Sequence, residues 1–413
     1  MIGLPSRVYK EIPLTTFMFA DRIPAEILSW GDELARIRRD IHEHPELGFD
    51  TARTCGVITR TLAQWGVPFD AELVTGGVVA WVEGTRPGPT VALRADMDAL
   101  AMPDESENPW RSGTPQRCHA CGHDGHTTWL LGAVRALKAR PDFPGRVLAV
   151  FQPAEEIGRG ARSVLEAGVL EKFRPLEIYG AHASPAFPKG QIGIQAGPVQ
   201  ASCDFFYITL KGRGAHAARP HTTLDPLPTA ALLTESLQTI VSRRIDPLEP
   251  AVLSICAVQA GNLHAPNVIP NELKLAGTIR TFSPQVRALV EAEMRRMSEG
   301  IALAQGLEAE VRVDHLTPPL INAPVCAEAA AAVARELFGP ECPQPVPKSM
   351  AGEDFAEYAN RIPGIQTYIG MADPRHQAAI HNPKFDFNDE ILPEAVWFLS
   401  SVARSRLEAL AQK

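Results

Sequence analysis

The order of helical and strand patterns changes near residue 201 and changes back near residue 316, and this interruption constrains the fold more than any other feature. Upstream, helical stretches alternate with short β-rich runs such as GVVAWVE and TVALRADMD, which is typical of an α/β sheet with helices on its faces. Between residues 201 and 315 the order is βαββαβ, which predicts a compact four-stranded sheet with two helices on one face. The sequence therefore predicts a smaller domain inserted into a larger one.

Chain length agrees with that division. With 413 residues, the chain exceeds the size at which a single core is usual. We expect residues 1–200 and 316–413 to form the larger catalytic α/β domain, with a mixed, largely parallel sheet that closes only after the chain returns from the insertion. Residues 201–315 are expected to form the smaller α+β domain, which is ferredoxin-like in its βαββαβ order.

Composition excludes several classes of protein. The net charge of −8 argues against general nucleic-acid binding, which needs a concentrated Lys/Arg surface. No apolar run approaches the ~20 residues needed to cross a bilayer, so no membrane partner is expected. Residues 1–24 lack the basic flank and long apolar core of a signal peptide. The seven cysteines, odd in number and mostly scattered singly, are typical of reduced thiols, and we expect a cytoplasmic protein.

The stretch CHACGHDGH, at residues 118–126, concentrates groups that bind metal ions or transfer protons. Cys121 and His123 are separated only by Gly122. On a helix two such side chains would diverge by about 200°, so they converge only in a loop, and glycine permits a tight one. The stretch precedes a helical pattern, and loops at such positions in α/β sheets commonly hold ligands.

A second stretch, FQPAEE, ends an apolar strand with Glu155 and Glu156. Two carboxylates directly after a buried strand are costly unless their charge is compensated, and a metal ion is the strongest compensator. Adjacent side chains in an extended segment point in different directions. One carboxylate can therefore bind a metal ion while its neighbour holds the water that the ion activates.

Three further stretches place polar side chains at predicted strand or loop ends. Asp96 and Asp98 follow the strand TVAL, and carboxylates in such positions often orient metal ligands. His182 follows LEIYGA, and His381 lies in IHNPKFDFND near the start of the C-terminal segment. Together these stretches supply a thiolate, three imidazoles and a carboxylate, a set that suits one or two divalent metal ions.

Eight motifs occur along the chain in the order found in one enzyme family. They are RRDIHEHPELGF, ALRADMDAL, HACGHDGHT, FQPAEE, KGRGAHAARPH, NVIP, AGEDF and IHNPKFDFND. Over residues 35–389 the sequence resembles the aminoacylase and carboxypeptidase-G type of metallohydrolases. The resemblance is closest to the amidohydrolase branch, which includes hippurate hydrolases and plant auxin-conjugate hydrolases.

The resemblance implies a dinuclear metal centre that cleaves amide bonds. The implied metal ligands are Cys121, His123, Glu156, His182 and His381, with the Cys121 thiolate bridging the two ions. Glu155 matches the family's general base, and Asp98 matches the aspartate that supports a metal ligand. The two divalent ions are expected to be Zn or Mn, with Co and Ni also open.

The resemblance also implies a substrate and a partner. His216 and Asn267 in the inserted domain match residues that contact the scissile carbonyl. In several relatives that histidine reaches the active site of the partner subunit, so the inserted domain is expected to form a homodimer or higher homo-oligomer and to act as a lid. Family substrates, such as N-acyl amino acids, carry a carboxylate beside the amide. This acidic protein then needs a local cation, for which Arg280 is the first candidate and Lys211 the second.

The sequence leaves rival functions open. Within the same superfamily, the chain could be a metallo-dipeptidase or carboxypeptidase, although the RADMD motif and the cysteine favour an aminoacylase or amidohydrolase. A thiol hydrolase with Cys121 as nucleophile would leave the Glu155–Glu156 pair and the distant His381 unexplained. A non-catalytic zinc-binding module would need a second Cys/His pair at short spacing, which is not found.

Overall fold

The computed structural model of the protein describes residues 22–412. Residues 1–24, which we do not expect to form a signal peptide, lie almost entirely outside that range. The helices are α1 (Ala25–Ser29), α2 (Gly31–His42), α3 (Ala52–Gln64), α4 (His123–Ala139), α5 (Gly160–Glu166), α6 (Val169–Phe173), α7 (Pro226–Arg243), α8 (Pro284–Ala304), α9 (Pro324–Phe338), α10 (Ala356–Ala359) and α11 (Leu392–Ala411). The strands are β1 (Phe69–Asp70), β2 (Val78–Glu83), β3 (Arg86–Asp96), β4 (Pro144–Gln152), β5 (Pro175–Pro188), β6 (Ile192–Gly193), β7 (Gly197–Gln200), β8 (Cys203–Lys211), β9 (Ala251–Ala260), β10 (Glu272–Thr281), β11 (Glu308–Thr317), β12 (Leu320–Asn322) and β13 (Gly364–Ala372).

The larger sheet has seven strands in the order β1-β2-β4-β3-β5-β13-β6. Its central strands β4, β3, β5 and β13 run parallel, whereas the pairs at both ends are antiparallel. Residues 91–96 of β3 are all buried, because helices cover both faces of a parallel centre. The mixed α/β sheet predicted from the sequence is confirmed, and β13 joins it only after the chain returns from the insertion.

The inserted sheet has four antiparallel strands in the order β11-β8-β10-β9. Alternate residues of β8 and β10 are buried, and their apolar side chains pack with those of α7 and α8. Asp225 and Ser283 cap these two helices, each followed by a proline in the first turn. The predicted βαββαβ order is confirmed, although the last strand continues to Thr317, two residues beyond the predicted boundary.

The chain enters and leaves the inserted domain at one place. β7 pairs with β12 just before and just after the insertion, with Leu320 opposite Gln200. The two connections therefore lie side by side as a two-stranded ribbon between the sheets. Across residues 22–412, no helix is both long and apolar enough to cross a membrane.

Candidate metal centre

The central parallel strands deliver polar side chains to one edge of the larger sheet. Asp98 lies just beyond β3, Glu155 and Glu156 follow β4, and His381 lies in the segment after β13. The sequence pattern places His182 just after a strand, but it lies within β5, because β13 pairs with β5 through and beyond that residue. The carboxyl ends of parallel strands meet at the same edge, where α/β proteins commonly bind ligands.

The loop before α4 brings the cysteine and the histidines together. Gly122 has φ 86°, a left-handed conformation that favours glycine, and it lies between Cys121 and the first helical residue, His123. The Cys121 Sγ lies 3.4 Å from His182 Nε2. Ligand atoms of Cys121, His123 and His182 all lie within 4.8 Å of one another.

The glutamates and the last histidine complete the cluster. His381 Nε2 lies 3.6 Å from Glu156 Oε2, and His123 Nε2 lies 3.9 Å from Glu155 Oε2. His381 has φ 61°, which is uncommon for a residue with a side chain and typical of functional sites. The structure thus brings the five side chains predicted as ligands, together with Glu155, to one place.

The cluster is chemically suited to divalent metal ions. His123 Nε2 and Glu156 Oε1 are buried, and neither has a hydrogen-bond partner in the described part of the chain. Such orphaned atoms are costly unless an unseen group satisfies them. Thiolate, imidazole and carboxylate are the ligand types that zinc and neighbouring metals prefer. The residues therefore fit the metal centre that the sequence predicts.

Electrostatics in the cluster also favour bound cations. Burial raises the pKa of Glu156 to about 7, and burial together with Glu353 and Glu156 raises the pKa of Glu155 well above its usual range. Burial likewise raises the pKa of the Cys121 thiol, and Glu156 adds to the effect. A thiol of this kind does not ionise at neutral pH without a cation, which argues against an activated cysteine nucleophile.

Asp98 holds the turn that presents the two glutamates. Its Oδ1 accepts a hydrogen bond from the Glu155 N–H at 2.9 Å, and its Oδ2 accepts one from the Glu156 N–H at 3.2 Å. Its main-chain carbonyl lies 2.9 Å from His123 Nδ1, which leaves His123 Nε2 facing the cluster. One buried residue therefore positions both glutamates and the His123 ring.

A buried arginine under the cluster was not predicted from the sequence. Arg94 lies inside β3, and its guanidinium contacts Asp96 at 2.6 Å, Asp354 at 2.8 Å and Gln152 at 2.8 Å. Asp354 also accepts a hydrogen bond from the Ala161 N–H, just after the glutamate turn. The charged Arg94 inside the apolar TVALRAD strand was the available signal, because a buried charge requires compensating partners.

A cavity of about 940 Å³ opens between the cluster and the inserted domain. Cys121, Glu155, His182 and His381 line one end of it. Its walls carry many apolar side chains, including Phe187, Phe205, Val252, Leu316, Met350 and Ile380. Arg280 from β10 is the one Lys or Arg side chain on the described lining. It contacts the Cys203 thiol and forms no ion pair within residues 22–412.

Three other residues predicted from the sequence lie away from this cavity. Lys211 is at the end of β8, where its ammonium pairs with Glu310 on the neighbouring strand. His216 and Asn267 are exposed, and the Ala217 N–H donates to the Asn267 carbonyl at 2.9 Å. Neither of them lines the cavity of its own chain. Lys211 is therefore not retained as a substrate contact.

Fold and site together define a class: two-domain α/β proteins with a metal-ligating centre at the sheet edge, facing an inserted α+β domain. Residues 92–405 match peptidase family M20/M25/M40. The chain belongs to this family and is a hydrolase of amide bonds, as the motifs predict.

The relatives agree with the amidohydrolase branch. The chain is 39% identical over 383 residues to N-acetylcysteine deacetylase of Bacillus subtilis, covering 91% of this chain and 97% of the relative. It is 35% identical over 384 residues to hippurate hydrolase of Campylobacter jejuni, covering 93% and 99%. Among solved structures, a Bacillus subtilis protein described as a dinuclear metal-binding peptidase of the M20 family superposes with a TM-score of 0.82. It is 36% identical, with 92% of this chain and 99% of that chain covered.

Proposed function

We propose that the protein hydrolyses the amide bond of N-acyl amino acids and holds two divalent metal ions to do so. The observation that carries this proposal is the convergence of the five predicted ligands and Glu155 in one cluster that borders a cavity of about 940 Å³. The names of the relatives support it, since an N-acetylcysteine deacetylase, a hippurate hydrolase and an N-acyl-L-amino acid amidohydrolase all align with most of this chain.

The two ions would be held by Cys121, His123, Glu156, His182 and His381. The thiolate favours Zn, while Mn, Co and Ni also accept imidazole and carboxylate ligands. When bound, such ions lower the pKa of a coordinated water and polarise a carbonyl oxygen. Deprotonated Cys121 and Glu156 would offset much of the ionic charge, which explains why these acidic groups are buried together.

Glu155 would act as the general base. Its carboxylate lies beside the ligand cluster, with Oε2 at 3.9 Å from His123 Nε2, close to the Glu156 carboxylate. It would take a proton from the attacking water and deliver it to the leaving nitrogen, a role typically worth about 100- to 10,000-fold in rate. Asp98 fixes the turn and thereby the position of this carboxylate.

Substrate orientation would follow from the two chemically distinct parts of the cavity wall. Arg280 would bind the carboxylate of the amino acid, because it is the one Lys or Arg side chain on the described lining and forms no ion pair within residues 22–412. The apolar side chains around it would accept the acyl group by burying its surface. The scissile amide then lies between them, at the cluster.

We further propose that the active unit is a homodimer. His216 and Asn267 adjoin each other on the exposed side of the inserted domain, away from the cavity of their own chain. A second copy could present this pair to the scissile carbonyl, where one lost hydrogen-bond donor typically costs roughly 3 kcal/mol. β9 supports pairing of this kind, because it is an edge strand with Cys256 and Val258 exposed. A cytoplasmic location stays a prediction.

The decisive experiment compares N-acyl amino acids with dipeptides as substrates. Metal-stripped protein is assayed alone and after addition of Zn, Mn, Co or Ni. We expect no activity without metal and recovery on N-acetyl or N-benzoyl amino acids. Glu155→Gln should retain bound metal but lose about 100- to 10,000-fold in kcat, whereas Glu72→Gln on the surface serves as the matched control. Dipeptide hydrolysis without deacylation, or full activity of Glu155→Gln, would overturn the proposal.

A further inference from the structure

A chain of hydrogen bonds connects the protein interior to one predicted metal ligand. Arg94 Nη1 donates to Asp96 Oδ2 at 2.6 Å. Asp96 Oδ1 accepts from His126 Nδ1 at 2.5 Å, and His126 Nε2 accepts from the Ala183 N–H at 2.9 Å. Ala183 directly follows His182. Arg94, Asp96 and His126 are all almost completely buried, so water cannot replace these contacts.

The main-chain N–H and carbonyl of Ala183 contact two different histidines. Its N–H is held by His126, and its carbonyl accepts from His182 Nδ1 at 2.7 Å. A metal-binding histidine commonly donates its second N–H to a carbonyl, which fixes the ring and the tautomer. Here that carbonyl belongs to the residue whose N–H His126 holds. The position of the His182 ring therefore depends on His126.

His126 itself is not placed to bind a metal ion, although its ring lies close to the cluster. Its Nδ1 is engaged by Asp96, and its Nε2 lone pair is already used by the Ala183 N–H. Because Nε2 accepts that hydrogen bond, the ring is neutral with its proton on Nδ1. Both nitrogens are satisfied, in contrast to His123, whose Nε2 has no partner within residues 22–412.

We propose that His126 is a positioning residue for His182, anchored through Asp96 by Arg94. This inference rests on the metal centre proposed above. Asp96 cannot turn away from His126, because its other oxygen is held by the Arg94 guanidinium, which is held in turn by Asp354. Loss of the contact with Ala183 would release the peptide group that joins His182 to Ala183. The main chain that carries both the His182 side chain and the Ala183 carbonyl could then shift, and the His182 ring with it.

Two substitutions of His126 separate the two contacts. In His126→Asn, the side-chain amide nitrogen replaces Nδ1 and can still donate to Asp96, but nothing accepts from the Ala183 N–H. In His126→Gln, the longer side chain places its oxygen near the former Nε2 and can accept from Ala183, while the Asp96 contact is lost. The matched pair differs in one methylene and in the contact that is retained.

The experiment measures metal binding rather than turnover. Zn and Co ions are titrated into metal-stripped protein against a chromophoric chelator, and the visible spectrum of the Co-loaded protein reports the ligand set. We expect His126→Asn to weaken binding of one of the two ions by about 10- to 100-fold and to change the Co spectrum. His126→Gln should recover most of the affinity and a spectrum close to that of wild type.

The outcomes are distinguishable from failure of the proposed function. If the wild-type protein binds fewer than two ions, the metal centre itself is wrong. If it binds two and His126→Asn binds both with unchanged affinity and spectrum, the positioning role is wrong. Equal losses in His126→Asn and His126→Gln would also overturn it, since they indicate a packing role. Should His126→Asn not fold, His126→Ala replaces it, since it also leaves the Ala183 N–H without an acceptor, and wild-type affinity in that variant counts against the inference.

Discussion

Replacement of Asp98 by asparagine tests how the glutamate turn is held. The two carboxylate oxygens of Asp98 accept from the Glu155 and Glu156 N–H groups at 2.9 and 3.2 Å. Asparagine has only one oxygen, so its NH₂ group must face one of these two N–H donors. The side chain is buried, so water cannot enter to satisfy that donor.

The magnitude follows from the number of bonds. A hydrogen bond to a charged group contributes about 1.5–3 kcal/mol, and the substitution removes one such bond and makes the other neutral. We therefore expect a cost of about 2–3 kcal/mol, which corresponds to roughly 30- to 150-fold in an equilibrium constant. In the metal-free protein the turn can move to relieve the N–H to NH₂ contact. Metal binding must then restore the turn, so the cost should appear as weaker metal affinity.

The assay combines two measurements on purified Asp98→Asn protein. Competition titration against a chelator gives the affinity for Zn, and thermal unfolding of the metal-free protein gives its stability. Asp50→Asn, an exposed change of the same chemistry, is the control. If Asp98→Asn instead lowers the stability of the metal-free protein, the turn stays in place even without metal. Wild-type affinity together with wild-type stability would refute the reasoning.

Three further predictions follow from the structure. Arg280→Ala should raise KM about 10- to 100-fold for N-acyl amino acids but less for their carboxamides, and equal effects would remove Arg280 from the carboxylate subsite. Burial lowers the pKa of His42, but Asp124 and Asp104 more than offset this and raise it to about 9. Protonated His42 therefore contributes up to about 3 kcal/mol to the free energy of unfolding. This contribution is complete below pH ~6.5 and is lost as the pH rises through 9. Urea unfolding of wild type and His42→Gln at a series of pH values measures it. Finally, mixing equal amounts of inactive His216→Ala and Glu155→Gln subunits should restore about one quarter of wild-type activity. Random exchange makes about half of the dimers mixed, and each mixed dimer has one complete site of two. No recovery after confirmed exchange would place His216 outside the partner's site.

Local sequence signals were sufficient for most of the fold. The caps at Asp225 and Ser283 mark the helices of the inserted domain, and the βαββαβ order determines its sheet. The ligand candidates could be grouped without any distances, because parallel strands bring their carboxyl ends to one edge. The role of Gly122 could be interpreted from sequence because glycine permits the tight loop in which Cys121 and His123 converge, and its φ of 86° agrees.

Contacts between distant segments could not be predicted in this way. The strand around Arg94 indicates a buried charge, but its partner Asp354 could not be identified from sequence, because it lies 260 residues away along the chain. Lys211 was a candidate substrate contact because the sequence does not show its partner. Its ion pair with Glu310 forms only when β8 and β11 lie side by side. The exposure of His216 likewise depends on how the inserted domain is oriented against the larger one. Such features depend on tertiary geometry, for which helical and strand periodicity carry no information.

The position of β13 has a consequence for synthesis of the chain on the ribosome. β13 lies between β5 and β6, although it emerges about 175 residues after β5 ends, roughly 10–35 s at common translation rates. During that interval the β5 edge is unpaired and open to wrong pairing with other nascent chains. All four strands of the inserted sheet emerge in the meantime and can pair with one another. The nascent protein therefore carries a finished domain beside an unfinished one, and the half that holds the predicted metal ligands is the last to become safe from aggregation.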